Sequence, residues 1–221
     1  MQQQIITIYC LCADFLQAYG HKDDPQARMT TAEVMTVALV AAHFFVGNQD
    51  LSRRFLHEHG YIPSMLSKSR FNRRLHGLPD TLRQAVWAMV AAVHHQLNAE
   101  GLYIVDSLPV PVCDNIRIRR CRLYRDEAHR GYCASKRRYY FGLKVHLVIT
   151  ATGQPVEIVL SAASTADLDG LKSLPLDLPA HSELDADAAY NDYLYEDTLA
   201  DVAEIELLAA RKKNSKRPYP G

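Results

Sequence analysis

The spacing of hydrophobic residues changes period once along the chain, at Gly101, and this limits the fold to a helical module followed by a sheet. Before Gly101 the period is helical. Ile5, Ile8, Cys12, Phe15, Leu16 and Tyr19 share one face of a helix over 3–19, which Asp23-Asp24-Pro25 interrupts. Thr30-Thr31-Ala32-Glu33 forms a capping box: the hydroxyl accepts from the third amide and Glu33 reaches back. The helix it opens runs to about Val46 and stops at Gly47-Asn48. Further helices are predicted over 51–57, 63–75 and 80–98. The third of these five is followed by a basic one, Ser67-Lys-Ser-Arg-Phe-Asn-Arg-Arg74, in an order that resembles a helix-turn-helix DNA reader.

After Gly101 the period becomes that of strands. Leu102-Tyr-Ile-Val105 predicts a short strand ending at Asp106 and stopped by Ser107-Leu-Pro109. A long, basic, irregular stretch runs to about Tyr139. Leu143, Val145, Leu147 and Ile149 then alternate with Lys144, His146 and Val148, and Thr152-Gly153-Gln-Pro155 turns the chain into a hairpin partner over 156–160. A helix over 167–174, a strand over 182–187, a helix over 191–201 and a strand over 205–209 complete the order. The fold class is therefore α/β, a mixed sheet with flanking helices, preceded by an all-α N-terminal module. Domains are expected at 1–100 and 101–221.

Composition narrows the function. At 221 residues the chain is long enough for a sizeable core without metal or disulfide staples. Five cysteines, an odd number without a Cys-x-x-Cys pair, predict reduced thiols. No apolar run approaches the ~18–20 residues of a membrane span, and the N-terminus lacks a signal-peptide pattern, so no membrane partner is expected and the location is read as cytoplasmic.

The 25 basic and 25 acidic residues cancel, but they are segregated. Residues 53–83 carry seven bases against two acids, and 117–144 carry ten against two. Between 157 and 206 the balance inverts to thirteen acids and one base, Lys172. Arg211, Lys212, Lys213, Lys216 and Arg217 follow without an acid. Basic blocks around an acidic one, with Tyr124, Tyr132, Tyr139 and Tyr140 among the arginines, suit a polyanion held beside a carboxylate site.

Two carboxylates stand out by position. Asp106 and Asp187 each end a predicted strand, where ligands of open α/β sheets gather. Paired strand-end carboxylates suit hard divalent cations, and two metals about 3.5–4 Å apart are the usual apparatus for phosphodiester cleavage. An Asp before Ser-x-Pro also serves as an ordinary turn residue.

Three motifs in order carry a resemblance. They are Ile104-Val-Asp106-Ser-Leu-Pro-Val-Pro-Val-Cys113, then Ser135-Lys-Arg-Arg-Tyr-Tyr-Phe-Gly-Leu-Lys-Val-His146, then Asp187-Ala-Ala-Tyr190. Together with Gly153-Gln-Pro155 and the small-polar run from Ala163 to Asp169, they resemble the DDE transposases of bacterial insertion sequences. The resemblance implies a ribonuclease-H-like sheet and Mg²⁺-dependent cutting and joining of DNA, with Mn²⁺ as a substitute. It implies catalytic and metal-binding roles for Asp106 and Asp187. Double-stranded DNA, both element ends and target, is the implied partner, and a homodimer the implied assembly, in a bacterial cytoplasm at the nucleoid. Arg211 and Lys213 fall where the family has basic residues after its last strand. The basic blocks add Arg70, Arg73, Arg74, Lys136, Arg137, Arg138 and Lys144 as candidate DNA contacts.

One departure accompanies the matches. The family's third acid is a Glu on a helix beyond the last strand and its basic loop, and no such helix follows here. Glu204 and Glu206 come too early. The reading is thus of a transposase with an incomplete catalytic set, apparently truncated at its C-terminus, with absent or very poor catalysis by this chain alone. A catalytically inactive DNA-binding remnant or transposition inhibitor is the alternative. A nuclease using Asp106, Asp187 and Glu206 is a third reading.

Overall fold

The structure, a computed structural model, describes residues 1–134, 136–211, 213 and 215–218. Contacts divide the chain into two units, Met1–Val86 and Trp87–Gly221.

In the first unit the helices are α1 (Gln2–Ala18), α2 (Thr31–Phe44), α3 (Gln49–Glu58) and α4 (Lys68–His76), and α5 (Asp80–Leu97) crosses the division. The capping box forms: the Glu33 amide donates to Thr30 Oγ1 at 3.2 Å, and the Thr30 amide donates to Glu33 Oε2 at 2.7 Å. After α2 the chain turns through Val46 and Gly47, both at positive φ. Ile5, Val34, Val37, Val40, Leu56, Ile62 and Phe71 form the core, so α4 buries Phe71 while Arg70 and Arg73 face solvent. Asp23 ties this unit together. It accepts from the Thr31 amide at 3.0 Å, the Thr31 hydroxyl at 2.6 Å and the Arg74 guanidinium at 2.9 Å, joining the start of α2 to α4.

The second unit is built on a six-stranded mixed sheet: β1 (Leu102–Asp114), β2 (Arg130–Cys133), β3 (Arg138–Thr150), β4 (Pro155–Ala162), β5 (Ser182–Ala186) and β6 (Ile205–Ala209). The order is β2-β3-β1-β5-β6, with β4 also on β3. The strands β1, β3 and β4 are antiparallel neighbours, while β5 and β6 run parallel to β1. Helices α6 (Asp167–Ser173) and α7 (Tyr193–Ala203) make the crossovers that parallel strands require. Tyr103, Val105, Val148, Leu171, Leu184, Tyr190, Leu199 and Ile205 form one core between sheet and helices. On the other face Ile104, Leu108, Val110, Ile158 and Leu160 stay exposed.

Two expectations are corrected. The first strand does not stop at Ser107-Leu-Pro109; β1 continues through Pro109 and Pro111 to Asp114, paired with β3. Its pairing with β5 ends at Val105, so beyond that residue one edge of β1 is open. Proline lacks the amide that a central strand needs, and an open edge tolerates this. The basic stretch to Tyr139 is not wholly irregular either, since it holds β2 and two short 3-10 turns, Asn115–Arg120 and Glu127–His129. Gly142 explains how β1 and β3 come so close: a Cβ there would lie 2.2 Å from the Val110 carbonyl oxygen. Cys10, Cys12, Cys113 and Cys121 are free thiols, as expected. Among the described residues no single helix is long and apolar enough to cross a membrane.

Burial works to raise the Asp23 carboxyl, but the hydrogen bonds from Thr31 and the charges of His21 and Arg74 outweigh it and hold it below its ordinary range. A carboxyl depressed on folding stabilises the native state above its unfolded pKa, and that contribution disappears as pH falls through the folded value. The thermal midpoint of the helical unit should therefore drop more steeply with acidification below about pH 4 in the wild type than in Asp23→Asn. Parallel acid limbs in circular-dichroism melts would contradict this.

A candidate metal centre where a parallel ladder ends

The parallel ladder between β1 and β5 pairs Leu102 with Glu183, Tyr103 with Leu184, Ile104 with Asp185 and Val105 with Ala186. The next residue on each strand is an aspartate, Asp106 and Asp187. Adjacent strands lie about 4.8 Å apart, so the register brings the two aspartates side by side where the pairing of β1 with β5 ends. Both are exposed. The Ser107 amide donates to Asp106 Oδ1 at 2.7 Å, and the Ala189 amide donates to Asp187 Oδ1 at 2.8 Å, opening the 3-10 turn Ala188–Tyr190. In each carboxylate the Oδ2 atom has no protein partner among the described residues.

A polar cluster supports this edge from the helix-covered face. Ser107 stands opposite His146 on β3, and Pro109 opposite Lys144. The Ser107 hydroxyl donates to Asp167 Oδ1 at 2.5 Å, and Lys144 Nζ donates to the same oxygen at 3.1 Å and to the Thr165 carbonyl at 2.7 Å. Asp167 is the first residue of α6, and that helix rests on the buried His146: a Cβ at Gly170 would lie 2.0 Å from the imidazole. Burial, together with the charge of Lys144 and against that of Asp167, lowers the His146 pKa; its Nε2 is bonded to the Ser161 hydroxyl at 2.8 Å. Tyr190 lies beneath the acid pair, fully buried, with no hydrogen-bond partner for its hydroxyl. Burial, followed by the charges of Asp167, Asp106 and Asp187, pushes the phenol far above its ordinary range, with the Ser107 hydroxyl working against the shift.

This donor set fits a divalent cation. Two ionisable oxygen ligands with free Oδ2 atoms suit a hard ion, which prefers oxygen and retains several waters. Among the described residues no third Asp, Glu, His or Cys joins the pair. Glu206 pairs with Glu183 and therefore lies four residues back from Asp187 along the sheet, about 13 Å at ~3.3 Å per residue. Glu204 ends α7 in a left-handed conformation and meets His181 at 3.3 Å. The three-acid nuclease built on Glu206 is thereby excluded.

The candidate DNA contacts fall into two groups. Arg70, Arg73, Lys136, Arg137, Arg138 and Lys213 are exposed, and Arg138 reaches Asp114 at 3.4 Å. Arg70 and Arg73 also line a cavity of about 520 Å³ with Lys22 and Arg74. Arg74, Lys144 and Arg211 instead have their charges engaged within the chain. Arg74 pairs with Asp23 and Lys144 with Asp167. Arg211 is 11% exposed and forms a fork with Glu196, itself 8% exposed, at 2.6 and 2.9 Å. Arg211 also donates to Asn191 at 2.9 Å. Ser135 and Lys212, which the sequence reading includes, lie outside the described residues. Sequence reasoning missed the contacts of Asp167 with Ser107 and Lys144, along with the burial of Tyr190; the signal within reach was Asp167 in the small-polar run before the helix.

A mixed sheet with two register-matched aspartates just past the last pair of a parallel ladder defines a carboxylate-centred α/β protein. The chain belongs to the family of transposase DDE domains, whose model matches residues 96–219. Domains of this family generally use divalent metal ions. No curated protein matches the chain. Among solved structures, the piggyBac transposase synaptic complex with hairpin DNA is similar at 13% identity and a TM-score of 0.45, over 97% of this chain and 49% of that one. The chain thus spans about half the length of that protein.

Removing one partner of a buried ion pair leaves an uncompensated charge, at about 3–5 kcal/mol. Arg211→Ala should destabilise the second unit by that order in urea unfolding, with Glu196→Gln in the same background restoring part of the loss. An Arg211→Ala variant as stable as the wild type would show that the fork contributes nothing.

Proposed function

We propose that the chain acts as a DDE-type transposase, in which Asp106 and Asp187 hold Mg²⁺, or Mn²⁺ in its place, for phosphodiester cleavage and strand transfer at the ends of a bacterial insertion sequence. The observation that carries this reading is the β1–β5 register, which sets two carboxylates side by side within a family built on such acids. The strand arrangement, four antiparallel strands joined to two parallel ones, is compatible with a ribonuclease-H-like fold. When bound, the metal supplies charge neutralisation at the phosphate and lowers the pKa of the attacking hydroxyl. The chain's own part is to fix the two Asp Oδ2 atoms at one edge and to present DNA to them.

That presentation falls to the exposed bases. Arg70 and Arg73 on α4, and Lys136, Arg137, Arg138 and Lys213 in the second unit, suit sequence-independent contacts with duplex phosphates. Arg117, Arg119, Arg120, Arg122 and Arg125 extend the basic surface with no ion pair among the described residues. Arg74, Lys144 and Arg211 serve the fold through their internal partners. Element ends and target DNA are the partners in this reading, and a homodimer is the expected assembly.

A second reading has its own support, since no third acid joins the pair among the described residues. On that reading the chain binds DNA without cutting it, as a remnant of a transposase or an inhibitor. A three-acid site requires a carboxylate from outside these residues.

One experiment separates the two. The full chain is incubated with supercoiled plasmid, and with duplexes bearing the element ends, in Mg²⁺ or Mn²⁺. The transposase reading predicts metal-dependent nicking that Asp106→Asn and Asp187→Asn each reduce at least about 10-fold without loss of DNA binding. Binding with no nicking under any metal would establish the second reading, and nicking that survives both substitutions would overturn the assigned site.

A further inference from the structure

We propose that Asp167, held by Lys144, is a positioning residue for Asp106 and acts through Ser107. The inference rests on the reading of Asp106 and Asp187 as metal ligands. It starts from a continuous line of hydrogen bonds across the sheet. Lys144 Nζ donates to Asp167 Oδ1 at 3.1 Å, the Ser107 hydroxyl donates to that same oxygen at 2.5 Å, and the Ser107 amide donates to Asp106 Oδ1 at 2.7 Å. Every link but the last lies on the helix-covered face, opposite the exposed Asp106.

The location explains why such a line is needed. Beyond Val105 the strand β1 has lost β5, so one edge of the backbone that carries Asp106 and Ser107 has no ladder partner. Pro109 and Pro111 follow, and neither donates an amide. Asp167 gives this segment a fixed point on the helix side, 60 residues away in sequence. Asp167 is in turn fixed twice. Lys144, 18% exposed, is anchored at 2.7 Å to the Thr165 carbonyl and aims its charge at the carboxylate. Gly170 sits against His146, with no room for a Cβ, so α6 packs directly on β3.

With Oδ1 held by the Ser107 amide, the direction of that amide governs where the free Oδ2 points. A hydroxyl tethered on the far side fixes the peptide plane from which that amide projects. Partners of metal ligands at this remove typically change affinity about 10–100-fold when removed.

The test reads Mn²⁺ binding to the full chain, as free Mn²⁺ by electron paramagnetic resonance, with circular-dichroism melts confirming that each variant is folded. Asp106→Asn reports on the site itself. Ser107→Ala should weaken Mn²⁺ binding about 10-fold or more, and Ser107→Thr, which keeps the hydroxyl, should restore it. Asp167→Asn should weaken binding as well, and combining it with Ser107→Ala should add little, because both act along one line. Wild-type affinity in folded Ser107→Ala, with binding lost in Asp106→Asn, would overturn the positioning role and leave the metal site standing. Unchanged binding in Asp106→Asn would overturn the metal site itself, and the positioning role with it. If Asp167→Asn fails to fold, the contrast between Ser107→Ala and Ser107→Thr decides alone.

Discussion

The short parallel pairing of β1 with β5 is the constraint on which the rest of the second unit depends. Only four residue pairs connect the two strands, from Leu102↔Glu183 to Val105↔Ala186. Side chains alternate along a strand, so a slip of one residue would turn either aspartate toward the core. Tyr103, Val105 and Leu184 hold the register by filling that core beneath α6 and α7. Apolar packing of ordinary kind thus decides where two polar groups emerge. The pairing then ends at the residue where carboxylates begin, which leaves their edge open to solvent.

An open edge has a cost in order, and the opposite face compensates. The motif Tyr140-Phe-Gly142-Leu-Lys144-Val-His146 sends Lys144 and His146 to the helix side of β3. There Lys144 meets Asp167 and His146 meets Gly170. Gly142 admits the close approach of β1. Three positions of one strand therefore set a helix, a neighbouring strand and an ion pair against the segment that follows Asp106. Further along, the Arg211–Glu196 fork ties the chain after β6 back to α7 in the same manner.

Much of this was legible in the sequence. The helices of the first hundred residues announce themselves through period and through the Thr30–Glu33 box, because both signals are local. The two aspartates are legible by motif; by position only Asp187 follows the end of its strand, whereas Asp106 lies within β1 where the pairing with β5 stops. The length of β1 was not, since Pro109 and Pro111 read as a stop unless one knows that a neighbouring strand has already ended. Charge was the least legible property. Exposed Arg70 and half-buried Arg211 look alike in sequence, and only tertiary packing brings Glu196 to the second. Asp167 is hidden for the same reason: its partners Ser107 and Lys144 are 60 and 23 residues away.

The central claim is that Asp106 and Asp187 form one divalent-cation site. A crystal of the full chain grown or soaked with Mn²⁺, with anomalous data collected near the manganese edge, tests it most directly. The account predicts one strong anomalous peak within about 2.0–2.3 Å of a free carboxylate oxygen of each aspartate. An ordered acid pair with no peak between its members, or a peak held by other residues, would contradict it.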